Sequence, residues 1–104
     1  VHGMLIDATE PALHIDRLKE ITAVTDVPLV LHGASGNTDE DLMASIDAGV
    51  AIVHINTEIR KAFRDGEMSY LAEHPNEVAP YKFGHQGQEE MKKVVRAKME
   101  LYMQ

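Results

Sequence analysis

Cysteine is absent from this chain of 104 residues. Disulfides and thiolate metal sites are therefore excluded, and any transition metal held here must be bound by His, Asp or Glu. No run of eighteen apolar residues occurs, and the opening Val1-His2-Gly3-Met4 has neither a basic nor an apolar signal region. The sequence thus predicts no membrane span and no secretory leader, and a reducing cytoplasm is the expected compartment. Basic residues are scarce: ten Lys and Arg against seventeen Asp and Glu leave a net charge of −7. A field of that sign repels phosphate backbones, so no nucleic-acid partner is expected, and an anionic small substrate would need local donors to overcome it. Methionine is missing from position 1, and the chain is expected to begin inside a longer polypeptide.

What is present suits a soluble domain: 44% of residues are hydrophobic and 26% charged, in a length that accommodates one small core and not two. Short strands alternate with helices. Leu13, Leu18, Ile21 and Val24 recur at helical spacing and predict a helix over 13–25, closed by Asp26-Val27-Pro28. A buried strand, Leu29-Val30-Leu31-His32, follows. Thr38 is placed to cap the next helix, with Asp39, Glu40 and Asp41 suiting its positive start; Leu42, Met43 and Ile46 form the inner face, and Gly49 is a left-handed terminator. The run 50–55 reads as a second buried strand. Asn56 and Thr57 then open a helix with Ile59, Ala62, Phe63, Tyr70 and Leu71 inward and Gly66 as an internal weak point. Residues 75–87 are rich in Pro, Gly and Asn and read as a loop. Met91, Val94, Val95, Lys98, Met99 and Tyr102 mark an amphipathic closing helix, its Met residues filling gaps in the core.

Two apolar strands joined by a helix make a parallel βαβ unit, which needs helices on both faces or barrel closure to hide its edges. A (β/α)8 barrel usually takes about 250 residues, so this chain would supply roughly 40% of one. The order strand, Gly-rich turn, helix, strand, Asn-Thr cap, helix matches the consecutive phosphate-binding turns that barrel enzymes build after their last two strands. His32 and Gly33-Ala34-Ser35-Gly36 stand at the carboxyl end of a strand, the edge where α/β sheets and barrels do chemistry, and a Gly-rich turn there presents backbone N–H groups to an anion. The expected fold class is α/β: the carboxyl-terminal part of a (β/α)8 barrel, about its last three βα units, incomplete on its own.

Three segments, Val1-His2-Gly3, then 28–36 (Pro-Leu-Val-Leu-His-Gly-Ala-Ser-Gly), then Ile55-Asn56-Thr57-Glu58, resemble in order and spacing the last three active-site motifs of the class II, zinc-dependent ketose-bisphosphate aldolases. The similarity runs along the whole chain. It implies that His2 and His32 bind the catalytic zinc, that Gly3, Gly33, Ser35, Asn56 and Thr57 form the phosphate site, and that main-chain carbonyls near the first two motifs hold a monovalent cation. It also implies a phosphorylated ketose as substrate, fructose 1,6-bisphosphate by default, and a homo-oligomer when the protein is complete. Retro-aldol cleavage leaves negative charge on the ketose fragment, which a divalent ion stabilises as a Lewis acid while neutral imidazoles preserve the ion's charge.

The sequence also departs from the family pattern. The family's third zinc histidine, and the aspartate beside it that moves the proton, follow an earlier strand and are not in this chain, so the chain alone is expected to be inactive. Many members have asparagine, a substrate contact, where His54 stands. Ala34 replaces the usual second glycine of the turn, and Tyr81 follows Pro80 where many members carry arginine, with Lys82 the nearest cation.

Plainer readings stand beside these. His32 fits a hydrogen-bonded packing role, His54 a satisfied core histidine, 33–36 an ordinary tight turn, and Asn56-Thr57 simple capping. His54 reaches the site only if its side chain faces the same space as that of His32. His14 and His74 are assigned to solvent or helix ends, and His85 to a loop. Two other functions remain open: a non-catalytic phosphate-binding or assembly fragment, and a metal-free phosphate-binding barrel enzyme in which His32 acts as acid or base.

Overall fold

A computed structural model of the chain describes residues 12–104; His2 and Gly3 lie outside the described residues. The chain divides between Asn56 and Thr57 into two compact units. The first holds α1 (Ile15–Thr22), β1 (Leu29–Leu31), α2 (Asp39–Asp47) and β2 (Val50–Val53), and the second holds α3 (Thr57–Glu73) and α4 (Pro80–Tyr102). Among the described residues no helix is long and apolar enough to cross a membrane.

Helix α1 is shorter than its periodicity predicts. Thr22 Oγ1 donates to the carbonyls of Leu18 and Lys19 at 3.2 and 3.0 Å, engaging acceptors of the last turn. The chain then turns at Thr25, whose Oγ1 accepts from the Val27 N–H at 3.2 Å, immediately before Pro28. Helix α2 begins where its cap predicts: Thr38 Oγ1 accepts from the Asp41 N–H at 3.1 Å, and three carboxylates occupy the first turn. Gly49 follows at φ 110°.

Strands β1 and β2 pair in parallel, Leu29 with Val50, Val30 with Ile52 and Leu31 with Val53, so that Ala51 has no opposite number. Strand β2 stops two residues earlier than its apolar run, at Val53 opposite Leu31. Neither strand is buried on both faces as expected, since Val30 and Ile52 remain 40% and 48% exposed. In a two-stranded sheet each strand is an edge, and one face has no cover among the described residues of this unit. The buried centre consists of Leu42, Ala34, Ala48 and Val50 with Ser45, whose hydroxyl is satisfied by donating to the Leu42 carbonyl at 2.7 Å.

In the second unit, Glu58 faces Lys98, Gly66 lies against Gly87, and Glu77 pairs with Lys82, so α3 and α4 run antiparallel. This unit differs from expectation in several places. The 75–87 segment is not a loop throughout: α4 starts at Pro80, whose fixed φ suits the first turn of a helix. Ahead of it, Glu77 Oε1 accepts from the N–H groups of Val78 and Ala79, and Glu77 Oε2 takes Lys82 Nζ at 2.6 Å. His85 is consequently helical. Gly66 is not a weak point either, because a Cβ there would stand 2.8 Å from the Gln86 carbonyl oxygen and 3.0 Å from Gly87 Cα. The missing side chain lets the two helices touch. Met99 and Met103 also fill no core gap; they are exposed, with Val95, along one face of α4.

Candidate functional site

Parallel pairing brings the carboxyl ends of β1 and β2 to the same edge of the sheet. One residue beyond each strand stands a histidine. The His54 N–H donates to the Leu31 carbonyl at 2.9 Å, and the Ala34 N–H donates to the His54 carbonyl at 3.3 Å, so the backbone pairing continues into the turn that carries His32. The two rings meet edge to face, with centroids 4.5 Å apart and planes at 90°. Their Nδ1 atoms are 3.2 Å apart. Both residues are exposed, so this contact lies at the surface and His54 is not a core histidine.

The turn after β1 is shaped by Gly33 at φ 68° and Gly36 at φ 96°, a left-handed conformation that Cβ-bearing residues rarely adopt. Ala34, between them, has a negative φ and is fully buried, so the second glycine of the family pattern is dispensable for this backbone. Ser35 is buried, and its Oγ accepts from the Asn56 N–H at 3.3 Å. The first unit therefore gathers His32, Gly33, Ser35, His54 and Asn56 at one edge. Thr57 opens α3 in the second unit, where its Oγ1 is buried without a hydrogen-bond partner.

Other residues singled out by the sequence lie elsewhere. Tyr81 is 76% exposed, and Lys82 is engaged by Glu77, which holds its ammonium above the ordinary lysine range. His14 precedes α1 as its cap residue without a side-chain cap bond. His74 stacks on Tyr70, ring centroids 4.3 Å apart. The contact between Ser35 and the Asn56 backbone carried no sequence signal, because it joins groups 21 residues apart through a main-chain atom that every residue but proline possesses.

Among the described residues no cluster of three or more His, Asp or Glu is arranged around one point. What the described residues offer a metal is two imidazoles with adjacent nitrogens. Neutral imidazole is a donor that suits zinc and related divalent ions, and an exposed pair leaves room for further ligands. These residues fit such an ion.

Residues 1–104 match the family model described as fructose-bisphosphate aldolase class-II. Among solved structures, the crystal structure of the YdjI aldolase from Escherichia coli K12 is similar to this chain, with a TM-score of 0.71 and 29% sequence identity over 93% of the chain. The chain spans 36% of the length of that structure. With its strand-end histidine and Gly-rich turn at the carboxyl edge of a parallel pair, and the family model matched from first residue to last, the chain belongs to the class II fructose-bisphosphate aldolase family.

Proposed function

We propose that the chain forms about the last three βα units of a class II aldolase (β/α)8 barrel, and that the complete protein catalyses reversible, zinc-dependent aldol cleavage. The substrate is a ketose 1,6-bisphosphate, fructose 1,6-bisphosphate by default, and the products are dihydroxyacetone phosphate and glyceraldehyde 3-phosphate. The observation that carries this reading is the placement of His32, the 33–36 turn, Ser35 and Asn56 at the carboxyl edge of β1 and β2 in a chain matching the family along its length.

His2 and His32 would hold the zinc, which when bound supplies positive charge at the ketose carbonyl. The 33–36 turn would take a phosphate, as the resemblance implies, its Ala34 N–H being held by the His54 carbonyl, and the Asn56 N–H orients that turn by donating to Ser35 Oγ. By the family resemblance Thr57 would add a second hydroxyl. Gripping the phosphate fixes where the carbonyl lies, which removes orientational freedom from the cleavage step. His54 stands beside His32 and, as the resemblance implies for its position, would contact the substrate. Without the proton-moving aspartate and third histidine that the family carries upstream, the chain by itself should not turn over substrate.

The test is made on the complete protein. Aldolase activity and about one zinc per subunit are expected together, and both His32→Ala and a chelator should abolish cleavage. Activity that survives both treatments overturns the reading. The exposure of Val30 and Ile52 on the sheet favours a second behaviour for the chain expressed alone, namely self-association. A monomer with one steep unfolding transition would contradict it.

A further inference from the structure

We propose that His54 is a ligand of the same divalent ion as His32, the two Nδ1 atoms forming a two-imidazole clamp. The inference rests on the aldolase reading and moves His54 from a substrate contact to a metal ligand. Distance is the first ground. Two nitrogens bound at about 2.0–2.1 Å to a tetrahedral ion stand about 3.3 Å apart, and the His32 and His54 Nδ1 atoms are separated by 3.2 Å. At this separation two bare lone pairs would repel. A proton on one ring relieves that as an N–H···N hydrogen bond, and a divalent cation displacing the proton would relieve it from beside the line joining the nitrogens, at about 2.0–2.1 Å from each.

Preorganisation is the second ground. The His54 N–H is tied to the Leu31 carbonyl and the His54 carbonyl to the Ala34 N–H, so His54 is anchored by its backbone to the residues close on either side of His32. Clamping an ion here requires no rearrangement of strands. Chemistry is the third ground. Imidazole is among the preferred donors for such ions. His54 would thus add a nitrogen ligand beside His32, and ketose binding would then take the ion beyond four ligands, as catalytic zinc can.

The experiment uses the complete protein with its imidazoles labelled with 15N, and Zn2+ as the probe. One equivalent of Zn2+ should shift the His32 and His54 ring nitrogens together. His54→Ala and His54→Asn should each weaken Zn2+ affinity by more than about tenfold, the least that loss of even a supporting partner costs a metal site. Circular dichroism confirms that each variant is folded, which the surface position of His54 permits. A His54 ring unmoved by Zn2+, or affinity unchanged in both His54 variants while His32→Ala loses it, overturns the clamp and leaves the aldolase reading intact. Tight Zn2+ binding through both rings in a protein without aldolase activity supports the clamp and defeats the aldolase reading instead.

Discussion

Ser35 Oγ accepts a hydrogen bond from the backbone N–H of Asn56 at 3.3 Å, tying the turn after β1 to the residue that precedes α3. The bond explains why a small hydroxyl residue is wanted in a turn whose conformation depends on its flanking glycines. Alanine would preserve the backbone and remove the acceptor. In the complete protein, Ser35→Ala should raise the KM for a phosphorylated ketose by about tenfold, the scale of one hydrogen bond in an anion site, and should lower kcat by less. An unchanged KM would remove Ser35 from the phosphate site.

The two long helices offer a test in which one substitution type has opposite signs. A Cβ on Gly84 meets nothing within 4 Å, so Gly84→Ala should stabilise the protein by about 0.5–1 kcal/mol through the reduced freedom of the unfolded chain. Gly66→Ala gains the same intrinsic term, but its Cβ would press on the Gln86 carbonyl oxygen at 2.8 Å. Forcing α3 and α4 apart should cost about 1–3 kcal/mol. Urea midpoints that move in the same direction for both variants would show that helix contact does not govern Gly66.

Acid should loosen the start of α4. The Lys82 ammonium, followed by the Ala79 N–H, holds the Glu77 carboxyl below its ordinary value of 4.5. A carboxyl depressed in the folded state stabilises it above that ordinary value, and the contribution is lost as pH falls through the lowered one. Glu77→Gln should therefore flatten the decline of stability below pH 4.5 relative to the unchanged protein. Parallel acid limbs for the two proteins would show that the pair is not linked to folding.

The cap of α2 yields a fourth prediction. Thr38→Ala removes the acceptor for the Asp41 N–H and should cost about 1 kcal/mol, while Thr38→Ser should cost little. Equal losses in the two variants would point to the Thr38 methyl group and away from its hydroxyl.

Much of the first unit was legible residue by residue. The Thr38 cap, the terminator at Gly49 and the glycine turn after β1 act over one or two turns of chain, and local propensity expresses them directly. The second unit was harder to read. Pro80, Gly84 and Gly87 look like breakers in a one-dimensional scan, yet proline is suited to a helix's first turn, and Gly87 is selected by the Phe63 ring, whose Cδ2 would lie 2.7 Å from an added Cβ. That pressure comes from a residue 24 positions away and leaves no local trace. The exposure of Met99 and Met103 was equally hidden, since an apolar stripe at helical spacing looks the same whether or not a neighbour covers it.

By itself the amino-acid order determined that strands would alternate with helices, that His32 would close a strand just ahead of a glycine turn, and which family the motifs resemble. Those features are written in short-range patterning. Only the tertiary structure decided that His54 would meet His32. Strand pairing skips Ala51 and sets Leu31 opposite Val53, which brings the next residue of each strand, a histidine in both, to the same side. Side chains alternate along a strand, so a slip of one residue would turn one imidazole to the other face and leave the two nitrogens unable to share a proton or an ion.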